Sequence, residues 1–585
     1  MFFASLLAMV VAGVIIFGII MGVIISIASS AKNQKNAATT TASILLIETD
    51  KKMHEQGESN SFAALSNDIS YSAGLYDAIR ALKAAKTDNN IKAIMLKLEG
   101  SSNGWATMQQ FREAMLDFRK SGKKIFAYGE GISQRDYYLA SAADAIYLNP
   151  VGMLELKGLA SQTTFYKGTL EKLNVKPQIF YAGKFKSATE PFRADKMSDA
   201  NRIQLTELLK DVWGEMLTAV STKTGIDTPS LQRFANVSAM QFANDAARYK
   251  LIDGVKYWDE VETLLRPLVD KKADEKVPYI SLNEYAERLD NETGDDGRIA
   301  VLFAEGEIVD GTGNDYQIAS NSMVKTIRQI KNDDKIKAVV MRVNSPGGSA
   351  LASEIILREL QLLKQKKPLI VSMGDVAASG GYYISMAADS VFAMPNTITG
   401  SIGVFSMMFN VGDALTSKLG VTFDEVKTAN YADFPTGTRE MNAQEIAMMQ
   451  AGVDTIYHTF MSRVAVGRHI PVNMVDSIAQ GRVWTGTDAH AIGLVDAMGN
   501  LDRALVSAAA KAKIKDYKVV TYPEQVDPFK SMLRRFKGSP LTAASVQQAM
   551  KEELGEDYAH YEQLQWMRRI SGKSQMAMPC RIDIR

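Results

Sequence analysis

The chain repeats itself, and the register of the repeat holds over a long stretch. Ile91-Lys92-Ala93-Ile94-Met95 answers Ile336-Lys337-Ala338-Val339-Val340 at an offset of 245. Tyr137-Tyr138 and Ala142-Ala143-Asp144 answer Tyr382-Tyr383 and Ala387-Ala388-Asp389 at the same 245, as Pro150 answers Pro395. Farther on, Leu251-Ile252-Asp253 answers Leu494-Val495-Asp496 at 243. Two copies with so long a period are a tandem pair of domains, not a solenoid of short repeats. The first copy reads strand, helix, strand, helix over Ala93–Leu98, Met108–Arg119, Lys124–Tyr128 and Tyr137–Ala143. That alternation predicts an α/β fold built on βαβ units.

The rest of the chain is laid out around the two copies. Residues 1–31 carry no charged side chain, and Phe2 to Ile27 is almost wholly apolar. That run exceeds the roughly 20 residues a helix needs to cross a bilayer. Ala28-Ser29-Ser30-Ala31 has the small residues of a cleavage site. The length of the run favours an uncleaved transmembrane anchor instead. Gly18 and Gly22 form a small-xxx-small pair that permits close helix approach. Residues 32–43 read as a polar tether. The first repeat is expected over 44–289, a charged linker over 290–298 and the second repeat over 299–585. Lys32 and Lys35 follow the apolar run, and taken alone they favour a cytoplasmic body.

Composition removes several classes of function. The net charge of +1 gives no footprint for nucleic acid. The only cysteine is Cys580, so no intrachain disulfide and no cysteine-based metal site is expected.

The two copies differ where chemistry would sit. In the second, the apolar run Leu369 to Val371 reads as a buried strand, and Tyr382 to Ala388 reads as a helix. Ser379 falls at the turn between them, near a helix N-terminus with its unpaired N–H groups. Gly380 and Gly381 follow and allow close approach of a substrate. The first copy has Gln134, Arg135 and Asp136 at these three positions. It also lacks the double glycine of Arg342-Val343-Asn344-Ser345-Pro346-Gly347-Gly348-Ser349, having Lys97-Leu98-Glu99-Gly100-Ser101-Ser102-Asn103-Gly104 instead.

The first copy has something the second lacks. Gly183-Lys184-Phe185-Lys186-Ser187-Ala188 aligns at 246 with Ala429-Asn430-Tyr431-Ala432-Asp433-Phe434, which has no lysine. One copy keeps a candidate nucleophile and the other a candidate base, so a single active site divided between the halves is expected. None of the five histidines (His54, His458, His469, His490, His560) lies in a motif pointing to the serine, and His490 reads as structural. A lysine serves as base if burial lowers it from about 10.4 far enough to be neutral. The spacing alone does not choose between Lys184 and Lys186, since residues two apart on a strand face the same way.

These runs resemble a known family. Arg342 to Ser349, then Ala378-Ser379-Gly380-Gly381-Tyr382, then Thr399-Gly400-Ser401-Ile402-Gly403-Val404-Phe405 resemble bacterial signal peptide peptidase A. Gly481-Arg482-Val483-Trp484-Thr485-Gly486 and Gly493-Leu494-Val495-Asp496 match too. Gly183 to Phe192 resembles the lysine segment of the long, two-repeat form. The resemblance spans the anchor and both repeats. It implies tandem Clp protease/crotonase-like domains behind one transmembrane helix. It implies Ser379 as nucleophile, Lys186 as general base and Ser401 as the hydroxyl that orients the lysine. Gly380, with Gly347 or Gly348, is implied as the oxyanion hole. No metal or cofactor is expected. The implied substrates are signal-peptide fragments and other hydrophobic peptides. The implied assembly is a homotetramer or other ring, single-pass in the cytoplasmic membrane with its body on the periplasmic side. Two alternatives stand beside this reading: a crotonase-like acyl-CoA hydratase or isomerase, and a non-catalytic membrane scaffold.

Overall fold

The computed structural model describes residues 41–59, 71–237, 240–289, 297–314, 316–524 and 573–578. The expected anchor, most of the tether and most of the linker lie outside them. No described helix is long and apolar enough to cross a membrane.

The first repeat is built on a six-stranded sheet in which every pair is parallel. Its order is Gly254–Val255, Ala145–Leu148, Lys124–Gly129, Ile91–Leu98, Ser43–Glu48, Tyr279–Ser281. The second repeat has an eight-stranded sheet around Arg298–Glu305, Ile336–Ser345 and Leu369–Ala378. It is parallel except where Ile398–Gly400 meets Val483–Thr485. Parallel sheets are covered on both faces, so their strands read as unbroken apolar runs. Ile299 to Ala304 is such a run, and all six residues are buried.

A third sheet joins the repeats, and βαβ patterning does not anticipate it. Its order is Gln317–Ala319, Glu307–Val309, Gly347–Ser349, Ser574–Ala577, Val404–Asn410, Lys176–Ala182. The last strand comes from the first repeat. It pairs antiparallel with Val404–Asn410 over seven residues, from Val404 opposite Ala182 to Asn410 opposite Lys176. The chain therefore leaves Ala182 at the end of the sheet where it enters Val404.

Polar contacts also tie the repeats together. Arg342 is fully buried and donates from Nε to Glu55 Oε2 at 2.8 Å and from Nη2 to Oε1 at 3.2 Å. Its Nη1 donates to Ser372 Oγ and to the Met373 carbonyl. Burial pushes the Glu55 carboxyl up against the pull of Arg342. A buried pair of this kind is costly to break from one side, because the remaining charge loses its partner. Arg342→Met is expected to cost about 3–5 kcal/mol of stability. Glu55→Leu combined with Arg342→Met is expected to restore most of it. Denaturant midpoints of the three proteins check this.

Candidate active site

Two backbone distortions set the site. Leu369–Ala378 runs ten residues, well past the apolar run Leu369 to Val371, because its later residues pair with Ile398–Gly400. The next helix is Gly380–Ser385, shorter and earlier than the apolar pattern indicates. Ser379 is the residue between, at φ 56° and ψ −114°. A non-glycine residue in that region is strained, and such strain concentrates at functional sites. Its N–H donates to the Gly400 carbonyl at 2.8 Å, and its carbonyl accepts from Tyr383 N–H. Ser401, one residue past that strand, also has positive φ, at 51°. Its N–H donates to the Arg482 carbonyl at 2.7 Å.

The third sheet delivers the lysine. Lys186 lies four residues past Ala182, and Ser401 three before Val404, so the strand pairing carries both to one end. Lys186 Nζ is 2.9 Å from Ser379 Oγ, 3.0 Å from Ser401 Oγ and 3.1 Å from the Ser401 carbonyl oxygen. Lys186 is 1% exposed and both serines are 0% exposed. Burial alone pulls the Lys186 amine well below the usual lysine value. Lys184 is exposed, its ammonium over the Phe185 ring. The two lysines diverge because Gly183 to Lys186 is a turn and not a strand: Lys186 N–H donates to the Gly183 carbonyl.

Gly481 holds this turn. At φ +77° it favours glycine, and a Cβ there would lie 2.7 Å from the backbone nitrogen of Lys186. Gln204, on the helix Asp199–Thr224, ties the same turn down. Its Nε2 donates to the Phe185 carbonyl and Ser187 Oγ, and its Oε1 accepts from Val483 N–H.

The glycines lie against Ser379. Gly347 packs so closely on Gly380 that a Cβ on Gly347 would be 2.6 Å from the Gly380 nitrogen. The Gly347 N–H donates to Ser345 Oγ at 3.1 Å. No described histidine joins them. His490 Nδ1 lies 3.2 Å from the Val495 carbonyl oxygen, a local contact, and His54 pairs with Glu305. No group of metal-ligating side chains occurs among the described residues.

One contributor was absent from the sequence reading. Asp375, four residues before Ser379, accepts from Thr107 N–H at 2.7 Å and Thr107 Oγ1 at 2.6 Å. Thr107 is in the first turn of the helix Trp105–Arg119, whose N-cap, Gly104, has no side chain to supply. The second repeat thus caps a helix of the first. The signal in the sequence was a helix start without its own capping residue.

The chain matches the model of Peptidase family S49 at residues 117–272 and 361–515, once in each repeat. The chain belongs to Peptidase family S49. It also matches the Clp protease model at residues 294–399, in keeping with a duplicated Clp protease-like α/β fold. Protease 4 of Salmonella typhi is 38% identical over 477 residues, covering 80% of this chain and 76% of that one. The chloroplastic serine protease SPPA of Arabidopsis thaliana is 33% identical, covering 81% and 71%. Protease 4 of Haemophilus influenzae is 32% identical, covering 87% and 86%. This S49 protein is a serine peptidase, and the hydratase and scaffold alternatives fall with that assignment.

Gly481→Ala tests how tightly this S49 peptidase holds its lysine. The added methyl displaces the Lys186 turn, and a shift near 1 Å is enough to cost about 10²-fold in rate. Peptide hydrolysis is expected to fall by about that factor, with the circular dichroism spectrum unchanged.

Proposed function

We propose that this peptidase works through a Ser–Lys dyad divided between its repeats, with Ser379 as nucleophile and Lys186 as general base. The observation that carries the reading is the buried Lys186 amine 2.9 Å from Ser379 Oγ, with no carboxylate among its hydrogen-bond partners. A neutral amine has two hydrogens and one lone pair. The hydrogens go to the Ser401 hydroxyl and carbonyl oxygens, and the lone pair faces Ser379. Lys186 takes the Ser379 proton as Oγ attacks a peptide carbonyl. The developing oxyanion is received by the N–H groups of Gly380 and Gly348. Gly348 is favoured over Gly347 because the Gly347 N–H is engaged by Ser345. Lys186 then protonates the leaving amine, and water releases the acyl group by the reverse path.

The variants separate these roles. Ser379→Ala and Lys186→Ala are each expected to abolish hydrolysis of an apolar peptide. Their combination is expected to be no worse than either, since members of one catalytic unit are non-additive. Lys186→Arg is expected to be inactive, because a guanidinium keeps its proton. Lys184→Ala is expected to keep most activity, and Ser401→Ala to be impaired but active. Near wild-type cleavage by Lys186→Ala would refute the dyad.

The pH dependence has a fixed sign. Below its lowered value the Lys186 amine is protonated and has no lone pair. Activity is therefore expected to rise with pH, with a midpoint below the roughly 10.4 of free lysine. The same shift makes the buried amine a cost to stability below its folded value, relieved as pH rises toward the free-lysine value. Lys186→Met is expected to flatten that stability profile. A kcat midpoint at or above the free-lysine value would contradict this.

The substrates we propose are signal-peptide fragments and other hydrophobic peptides, met at the cytoplasmic membrane by a body on the periplasmic side. The apolar run Phe2 to Ile27 supports the membrane, and the relatives support peptide substrates. We propose that the body closes into a ring, a homotetramer or a related assembly. Leu173-Asn174-Val175, before the strand Lys176–Ala182, answers Leu419-Gly420-Val421 at 246. The segment after Val421 is therefore the second repeat's counterpart of the pairing strand. It makes no strand here, and Phe423 and Val426 stand exposed at 49% and 101%. A neighbouring subunit's first repeat is its natural partner. Protease treatment of intact spheroplasts is expected to degrade the body, and light scattering to give a multiple of the protomer mass. Full protection, or a monomer, would overturn the corresponding proposal.

A further inference from the structure

The segment Gly183 to Phe192 holds a buried charge that the Ser–Lys chemistry leaves unused. Glu190, four residues past Lys186, is 2% exposed. Burying a carboxylate is costly unless its oxygens are satisfied. Its Oε2 accepts from Asn201 Nδ2 at 3.0 Å and from Ser198 N–H at 3.3 Å. Ser198 is the N-cap of the helix Asp199–Thr224, so the charge lies at the positive end of that helix. The bond to Asn201 leads on from there to the base. Asn201 Oδ1 accepts from Gln204 Nε2 at 3.0 Å. Gln204 Nε2 also donates to the Phe185 carbonyl and to Ser187 Oγ, both at 3.2 Å, the residues on either side of Lys186. Gln204 Oε1 accepts from Val483 N–H at 3.2 Å. The carbonyl of the preceding residue, Arg482, accepts from Ser401 N–H.

This chain of bonds has one direction. A carboxylate only accepts, whereas an amide has a donating end and an accepting end. Glu190 therefore draws the Asn201 NH2 to itself and turns Oδ1 toward Gln204. Oδ1 in turn draws the Gln204 NH2 and leaves Oε1 for Val483. The far end demands the same orientation, since the Phe185 carbonyl can only accept and the Val483 N–H can only donate. Ser187, Asn201 and Gln204 are all buried, so bulk water does not compete for these bonds. Turned round, the Gln204 amide would set oxygen against oxygen at Phe185 and N–H against N–H at Val483, and buried groups left unpaired are destabilising. The other charges at the turn are engaged elsewhere. Lys184 and Arg482 lie against the Phe185 ring, Glu207 pairs with Arg482, and Arg193 lies over the Tyr181 ring.

We infer that Glu190, Asn201 and Gln204 are positioning residues for the base: the carboxylate fixes the direction of two amides, and the second amide fixes the Lys186 turn against the segment that holds Ser401. The inference rests on the Ser–Lys reading, which gives Lys186 a role that depends on its position. Glu190 does not touch the amine and moves no proton. Its effect is on place. A turn that drifts carries Lys186 Nζ away from Ser379 Oγ and lets water reach it. Misplacement slows the proton transfer. A wetter amine keeps its proton to higher pH, because less of the desolvation penalty remains. A residue that only stabilised the fold would change the number of working sites, and neither the rate per site nor its pH midpoint.

The test compares Gln204→Met, Glu190→Leu and their combination with the full wild-type chain. The substrate is an apolar peptide, and working sites are counted by complete labelling with a serine-reactive fluorophosphonate. Per labelled site, Gln204→Met is expected to lower kcat by about 10²-fold, the factor for a shift near 1 Å, with KM changed by less than about twofold. Glu190→Leu is expected to lower kcat roughly tenfold, as a buried amide loses its partner. The double variant is expected to match Gln204→Met, because links of one relay are not additive. In all three the kcat midpoint is expected to move up toward the free-lysine value. Two conservative variants stand in where an apolar one does not fold. Gln204→Glu keeps the acceptor for Val483 but sets an oxygen against Phe185, and is expected to be as impaired as Gln204→Met. Glu190→Gln still accepts from Asn201 and is expected to lose less than Glu190→Leu. Wild-type kcat per site, or a lowered kcat with an unmoved midpoint, would overturn the inference and leave the dyad standing. Losses that multiply in the double variant would break the relay. Near wild-type cleavage by Lys186→Ala would bring down the dyad, and the inference with it.

Discussion

A lysine amine becomes a base only where water is kept from it. In this protein that exclusion depends on one pairing, Lys176–Ala182 of the first repeat against Val404–Asn410 of the second. The pairing fixes the register of the Gly183–Lys186 turn against Ser401. The turn then rests on Gly481, and Gln204 bonds it to the strand that carries Val483. Removing a charged amine from water without an acid beside it is unfavourable, so burial lowers the Lys186 amine well below the usual lysine value and favours its neutral form. The energy for holding it there comes from the surrounding apolar core and strand ladder, not from an ion pair. That is why the proposed base needs no third acidic residue, and why two serines and a backbone carbonyl suffice to orient it.

The strain at Ser379 and Ser401 belongs to the same arrangement. Each has positive φ, and each is held through its N–H: Ser379 donates to the Gly400 carbonyl and Ser401 to the Arg482 carbonyl. Strained residues persist only where neighbours over-determine them. Here the neighbours include the first repeat. Asp375, on the strand that ends at Ala378, is fastened to Thr107, and Arg342, on the neighbouring strand Ile336–Ser345, to Glu55, so both strands are anchored across the repeat boundary. The geometry at Ser379 is therefore a property of the pair of repeats, and neither repeat alone contains it.

Much of this could be read in the sequence. The offset of 245 gave the duplication and the alternation of strands and helices in each copy. The complementary losses, Gln134 for Ser379 and Ala432 for Lys186, pointed to one divided site, and the two serine side chains named from the sequence lie 2.9 and 3.0 Å from the Lys186 nitrogen. What could not be read was long-range pairing. Strand propensity does not say that Lys176–Ala182 pairs with the other copy, so the third sheet was invisible. The choice between Lys184 and Lys186 depended on a turn where a strand had been assumed. Asp375 is one acid among many until the helix it caps is seen to lack a cap. The apolar run Leu369 to Val371 likewise underestimated its strand, because the part nearest Ser379 is small and polar and is held by its neighbours instead of by burial.

The duplication explains why one site is enough and why it carries a slot one strand wide. If both repeats had kept serine, glycines and lysine, two sites would compete for the same pairing strands. Each copy instead gave up what the other supplies. The first keeps Lys176–Ala182 and its turn, and the second keeps Val404–Asn410 and the glycine strand. Val404–Asn410 has two edges. One is used by Lys176–Ala182, which leads into the turn that carries Lys186. The other faces Ser574–Ala577, which separates it from Gly347–Ser349. Ser574–Ala577 satisfies both edges at once, since the backbone N–H and C=O groups of an extended strand alternate sides along its length. Met576 and Ala577 of that strand are both buried among apolar side chains, where a charge would be costly.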